Sequence, residues 1–341
     1  MTTTPCKQFY TLLIITMFAT CFVSAASAAG AAPPTCRGQS MLDEMQVAEP
    51  AAYAKVLEAA TKTVNADALL WRVETAGVAP SFLFGTVHLS DPRVTTLSPA
   101  VTAALASAKA VALEIADMST AGMQAAIGAD PMLLISPDRG LATLITPEEF
   151  AIAKAALTPA GMPEAALRIM KPWVVTMALT LPMCEQLRTS SGVKVLDQLL
   201  GDMARARSIP VIGLETIAFQ LQVMAGIPED QQVGMVRAAL KFADRREDML
   251  ETMLQMYVKR QTAMIWPFNL ALADKAGIKP DAFKGFEADL LIGRNLTMRD
   301  AAKPHLDKGG LFMGVGAMHL VGETGLVNLL RQIGFMVTAV E

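Results

Sequence analysis

The chain has 341 residues, 52% of them apolar, and a formal net charge of −3. That length and apolar content exclude a disordered chain and allow one large domain or two modest ones. No block of Lys or Arg stands out, so the electrostatic footprint of a nucleic-acid partner is missing and no such partner is expected.

At the N-terminus, Lys7 is the only charge before an apolar run from Phe9 to Val23, and Ser24, Ala25, Ala26, Ser27, Ala28 and Ala29 follow. A charged start, a short apolar centre and a small-x-small cleavage site give a secretory signal over residues 1–28. The run is short for a span of roughly 20 residues, so cleavage is expected rather than a retained anchor. The protein is then periplasmic or secreted, with no stable membrane span. Cys6 and Cys21 leave with the signal, and Cys36 and Cys184 remain. In an oxidising compartment they point to one disulfide, the alternative being two separate buried thiols.

Residues 29–40 are rich in Ala, Pro and Gly and suggest a tether, followed by a single domain over 41–341. Helical spacing runs from Pro50 to Thr63. Leu69 to Val73 and Ser81 to Phe84 have strand character. Ser98 is placed to cap a helix that has Pro99 at its first position. Ala110 to Ile115 is a further strand containing Glu114, which makes a β-loop-α-β unit.

The middle, about 117–300, is expected to be a large helical insertion. Thr146-Pro147-Glu148-Glu149 has the form of a capping box. Pro172 to Met183 suggests an apolar helix, and Leu196, Leu199, Leu200 and Met203 form a stripe. Ile209 to Leu214 is expected as a buried strand with Glu215 directly after it. Glu229 to Lys275 is long-helical with a break near Pro267, and Lys284 to Ala301 is another helix. The end returns to strand (Leu311 to Val315), helix (Thr324 to Ile333) and strand (Phe335 to Val340). The fold class is therefore α/β: a central mixed sheet with two similar βα units at the chain ends.

Two of the three histidines, His88 and His319, occur in Gly-x-x-His-Leu just past an apolar strand. The glycine suggests a sharp turn leaving the strand. The histidine would project from the carboxyl end of the sheet, where α/β folds place their ligand crevice. If the two strands are neighbours, His88 and His319 face one site. His305 lacks this context and is expected in a loop. Glu114 and Glu215 end apolar runs, where a carboxylate is costly unless paired or bound. Two imidazoles with one or two carboxylates suit a divalent metal with open positions, or a general acid and base without one. Arg294 and Asn295 lie in a helical pattern, where Arg294 could bind a carboxylate, stabilise an oxyanion or simply face water. Met249, Met253 and Met256 recur at helical spacing, as a core or groove stripe or as thioether ligands for Cu(I).

The segments Ser81 to Arg93, Ala112-Leu113-Glu114, Gly213-Leu214-Glu215-Thr216 and Gly314 to Leu320, with Arg294-Asn295 upstream of the last, resemble in order the motifs of the TraB/GumN family, which includes the Tiki proteins. The resemblance covers roughly Cys36 to Val340. It implies an α/β fold related to the erythromycin-esterase and ChaN-like group. It also implies a metal-dependent peptidase that uses the paired Gly-x-x-His motifs. His88, His319 and Glu114 would hold Mn, Co or Zn, with Glu114, Glu215, Arg294 and Asn295 in catalytic roles and a peptide or small envelope molecule as substrate. A metal-independent hydrolase of the erythromycin-esterase type and a non-catalytic ligand-binding protein are the alternatives. Met318 departs from the family pattern, which favours a smaller residue there.

Overall fold

A computed structural model describes residues 34–279 and 283–341. The expected signal peptide, and the start of the expected tether, lie outside the described residues. Six strands form one sheet: β1 (Leu70–Glu74), β2 (Ser81–Thr86), β3 (Ala110–Leu113), β4 (Val211–Gly213), β5 (Leu311–Gly316) and β6 (Met336–Ala339). Their order across the sheet is β4-β3-β5-β2-β1-β6. The neighbours from β4 to β2 are parallel, while β1 runs antiparallel to both β2 and β6. The sheet is mixed because the short link from β1 to β2 is a hairpin, whereas the other strands are joined by crossovers.

The longer helices are α1 (Met41–Ala48), α2 (Pro50–Thr61), α3 (Pro99–Ala106), α4 (Thr120–Ala129), α5 (Pro147–Leu157), α6 (Pro172–Thr180), α7 (Met183–Ser190), α8 (Leu196–Ala206), α9 (Ile217–Gly226), α10 (Glu229–Lys241), α11 (Arg246–Val258), α12 (Ile265–Lys275), α13 (Arg294–Leu306) and α14 (Leu326–Gln332). One face of the sheet, carrying Leu70, Phe84, Val111, Leu113 and Phe312, packs on α3, α8 and α11. The other, carrying Trp71, Val73, Leu83, Met313 and Val315, packs on α13 and α14. Every residue of β5 from Leu311 to Val315 is buried. A strand covered on both faces needs a continuous apolar run, and Leu311-Phe312-Met313-Gly314-Val315 supplies one.

Local signals explain several helix starts. Ser98 Oγ accepts from the Val101 N–H at 3.2 Å, with Pro99 in the first turn of α3. At α5, Thr146 Oγ1 accepts from the Glu149 N–H at 3.2 Å while Glu149 Oε2 accepts from the Thr146 N–H at 2.8 Å, which completes the capping box. The insertion has a hydrophobic core of its own, including Ile127, Leu141, Leu157, Val175 and Val236.

Other expectations change. The strand expected at Ile209 to Leu214 forms as β4 and returns from the insertion to the sheet, but it is not fully buried. As an edge strand β4 is only half-buried, and Gly213 is exposed. The helix starting at Pro172 stops at Thr180, since Pro182 cannot continue it, and α7 begins afresh. The break expected near Pro267 falls just before it, between Val258 and Ile265, and Pro267 itself does not cause it. It sits in the first turn of α12, where a missing N–H leaves no bond unmade, and the breaks fall before Arg246 and Ile265. His305 lies in the last turn of α13 rather than in a loop.

The described part of the tether is fastened down. The Arg37 and Gln39 N–H groups donate to Glu247 Oε2 (2.6 Å) and Asp248 Oδ1 (2.8 Å) at the start of α11. A Cys36–Cys184 disulfide ties the same segment to α7. Ala, Pro and Gly composition does not exclude pairing when another element supplies acceptors. Among the described residues no helix is long and apolar enough to cross a membrane.

Candidate active site

The parallel strands β4, β3, β5 and β2 end at the same edge of the sheet. In that spatial order their exits carry Glu215, Glu114, His319 and His88. Connections diverge between β3 and β5. The route from β3 to β4 ends in α8 on one face, and the route from β5 to β6 runs through α14 on the other. Such a divergence marks the carboxyl edge as the place where sheets of this kind bind ligands.

β3 and β4 leave in step. The Leu214 N–H donates to Leu113 O at 2.9 Å and the Glu215 N–H to Glu114 O at 2.8 Å. The two buried carboxylates therefore emerge side by side, and Arg294 lies between them. Its Nη2 donates to Glu114 Oε2 at 2.6 Å and to Glu215 Oε2 at 2.7 Å, and its Nε to Glu215 Oε1 at 3.1 Å. Gln220, from α9, bridges the same two carboxylates at 3.2 and 2.9 Å. A π-helical turn, Ala288–Gly293, runs directly into α13 and delivers both Arg294 and Asn295 to the interior.

The remaining Glu114 oxygen, Oε1, accepts from the Gly316 N–H at 2.7 Å. Burial would raise the Glu114 pKa. The opposing fields of His319, His88 and Arg294, with the Gly316 N–H, outweigh it and hold the carboxyl at about 2. Neither motif glycine adopts a positive φ, so the sharp-turn reason for them does not hold. They are required by close approach. A Cβ on Gly316 would lie 3.3 Å from Glu114 Oε1, and one on Gly85 would lie 3.1 Å from Ala317 in the facing loop.

Each histidine is held by one ring nitrogen. The Asn295 Nδ2 donates to Thr324 O at 2.8 Å, which turns its Oδ1 toward His319 Nδ1 at 2.7 Å. Since that oxygen can only accept, Nδ1 carries the proton and Nε2 is left with its lone pair. Nε2 lies 3.8 Å from Glu114 Oε1. Burial, the largest influence, pushes the His319 pKa down to about 4, so the ring is neutral at physiological pH. His88 is the opposite case. Its Nδ1 meets Asp197 Oδ2 at 2.7 Å, and Thr86 Oγ1 donates to the other Asp197 oxygen at 2.6 Å. The Asp197 charge raises the His88 pKa to about 9. The imidazolium is 55% exposed, while its partner carboxylate is buried. One edge thus holds a neutral imidazole with a free Nε2 beside an imidazolium.

All six expected residues gather here, in unequal positions. His88 and His319 present Nε2. Glu114 and Glu215 are occupied by Arg294. Arg294 spends Nε and Nη2 on the two carboxylates, and Asn295 orients the His319 ring, so both fix their neighbours in this arrangement.

Asp197, Thr86 and Gln220 complete the site and were missed by the motif reading. A signal existed for Asp197, because it shares the buried face of α8 with Leu200, Gly201 and Ala204. An acid on an apolar stripe needs a partner. Gln220 carries no comparable mark.

A closed divalent-ion site takes three or more protein donors. Among the described residues no three His, Cys, Asp or Glu side chains are arranged for that. Glu114 here accepts from Arg294 and the Gly316 N–H, and an ion held between His88 and His319 would have to displace the proton that Asp197 favours on His88.

A mixed α/β sheet with paired Gly-x-x-His loops at its carboxyl edge defines the class of protein. The chain belongs to the TraB/PrgY/gumN family, whose sequence profile matches residues 69–339. No curated protein and no solved structure matches it.

Proposed function

We propose that the protein is an exported hydrolase acting on an acyl bond, ester or amide, with His319 as general base and His88 as general acid. The observation that carries this reading is the pair of imidazoles on adjacent strand ends, the His319 Nδ1 on the Asn295 amide oxygen and the His88 Nδ1 on the Asp197 carboxylate, which favour opposite protonation states. Environments that push two titratable groups apart assign acid and base. His319 Nε2 would take a proton from a water attacking the carbonyl. The resulting imidazolium would be stabilised by Glu114, whose Oε1 is 3.8 Å away. His88 would give its proton to the leaving group and be reprotonated beside Asp197. Arg294, Gln220 and Asn295 act as positioning residues. The Cys36–Cys184 disulfide supports an oxidising compartment and hence export.

The family resemblance keeps a divalent-ion peptidase as the second reading, in which His88 and His319 would be ligands and His88 would first lose its proton. One experiment separates the two. Hydrolysis of acyl-ester and peptide panels is measured with and without chelator, for the wild type, His319→Ala and His88→Ala. Turnover that resists chelator and falls at least about 100-fold in each variant supports the acid–base pair. Turnover lost to chelator and restored by Mn²⁺, Co²⁺ or Zn²⁺ supports the ion. Turnover unchanged in both variants rejects both readings.

A further inference from the structure

Beside the loop that carries His319 lies a second cavity, of about 270 Å³, whose walls include Met318, Met249, Met253, Trp266 and Phe242. It approaches the lower end of the range for small-molecule pockets, roughly 300–1,000 Å³. Its lining is almost entirely apolar. Met249 and Met253 are one helical turn apart on α11, so the methionine stripe is explained by this wall. Met256 is buried in the core with Met41 and Phe268 instead. Methionine suits a wall that must accommodate a flexible apolar guest.

One charged group interrupts that lining, beside the neutral Thr176, Thr180 and Asn269. Arg246, the first residue of α11, also lines the cavity, and its Nη1 is buried with no hydrogen-bond partner among the described residues. Its neighbour Arg245 is fully engaged, bonding Glu44 and Asp248. Leaving a buried charged donor unpaired costs on the order of 1–3 kcal/mol or more, and a solely structural apolar pocket gains nothing from it. A cation at the start of a helix also opposes the helix dipole. An anion in the cavity would relieve both costs.

We propose that this cavity binds a medium-chain amphipathic carboxylate, with its alkyl chain against Met249, Met253 and Met318 and its carboxylate on Arg246. The apolar walls set the chain, and the one guanidinium of the lining, with its buried Nη1, sets the head group. The assignment is independent of the hydrolytic reading, because it concerns binding and uses neither histidine. Through Met318 an occupant would press on the loop that positions His319.

The test is titration calorimetry of the disulfide-bonded protein with decanoate and with 1-decanol, for wild type, Arg246→Gln and Met249→Trp. Thermal melting checks that each variant is folded. The proposal expects one decanoate per chain, bound at least tenfold more tightly than decanol. Arg246→Gln should remove that preference and leave decanol within about twofold. Met249→Trp, which fills the cavity, should weaken both ligands at least tenfold. No decanoate binding to wild type overturns the proposal, as does a decanoate affinity unchanged in Arg246→Gln. Binding that ignores Met249→Trp places the ligand elsewhere and overturns it equally.

Discussion

Replacing Arg294 with Met tests the charge balance of the site most directly. The guanidinium is buried and serves two carboxylates, with contacts of 2.6 Å to Glu114 and 2.7 Å to Glu215. Methionine matches its apolar stem and removes the charge. Glu114 and Glu215 would then remain buried as neighbours, sharing only the Gln220 amide. Removing one partner of a buried ion pair costs about 3–5 kcal/mol, because the other charge is left uncompensated. For a domain of this size that is a drop in melting temperature on the order of 6–10 °C.

The pH dependence gives the sharper signature. In the wild type the Glu114 pKa is depressed from 4.5 to about 2. Its contribution is therefore fully present above pH 4.5 and is lost as pH falls toward 2. In Arg294→Met one of the charges that lower the Glu114 pKa is gone while burial still raises it, so that pKa rises and the variant loses less stability than the wild type as pH falls through the carboxylate range. The gap between the two proteins should narrow by at least about half between neutral pH and the ordinary carboxylate range. Urea unfolding at both pH values measures it. Adding Glu215→Gln to Arg294→Met should recover much of the loss at neutral pH. A loss below about 1 kcal/mol, or an equal loss at both pH values, would refute the reasoning.

Two further outcomes follow from single contacts. Asp197→Asn removes the charge that holds His88 up, so the His88 pKa should fall from about 9 toward its ordinary 6.5, as NMR titration of the ring would report. A raised histidine pKa contributes stability that is present below 6.5 and lost as pH rises through about 9; the variant should lack that alkaline decline. A Cys184→Ser variant opens a loop with a sequence separation of 148. It should lose about 2–4 kcal/mol in denaturant unfolding, and wild-type protein with reductant should behave the same; an unmoved midpoint would mean the arm constrains nothing.

The elements of the sheet were legible in the sequence because each is decided locally. Leu311 to Val315 is a continuous apolar run, which only a strand buried on both faces tolerates in this context. Ser98-Pro99 and the Thr146 capping box mark helix starts through contacts within one turn. The ordered Gly-x-x-His, Glu and Arg-Asn motifs likewise marked His88, His319, Glu114, Glu215, Arg294 and Asn295 before any coordinates.

Their roles were not legible, because those depend on what meets across the fold. The strand order β4-β3-β5-β2 sets the sequence-distant exits in the line Glu215, Glu114, His319, His88. Arg294 could have faced water, an oxyanion or a carboxylate; the fold pairs its Nε and Nη2 with both glutamates. Nothing within the motif around His88 foretells a cation, since the charge comes from Asp197, 109 residues away. His319 is neutral because of burial and because Asn295, from α13, fixes the proton on Nδ1. Propensity and capping act over a turn or a strand, so one sequence determines them. Protonation state, tautomer and ion pairing are long-range electrostatics in a low-dielectric interior, and only the packed tertiary structure decides which groups share it.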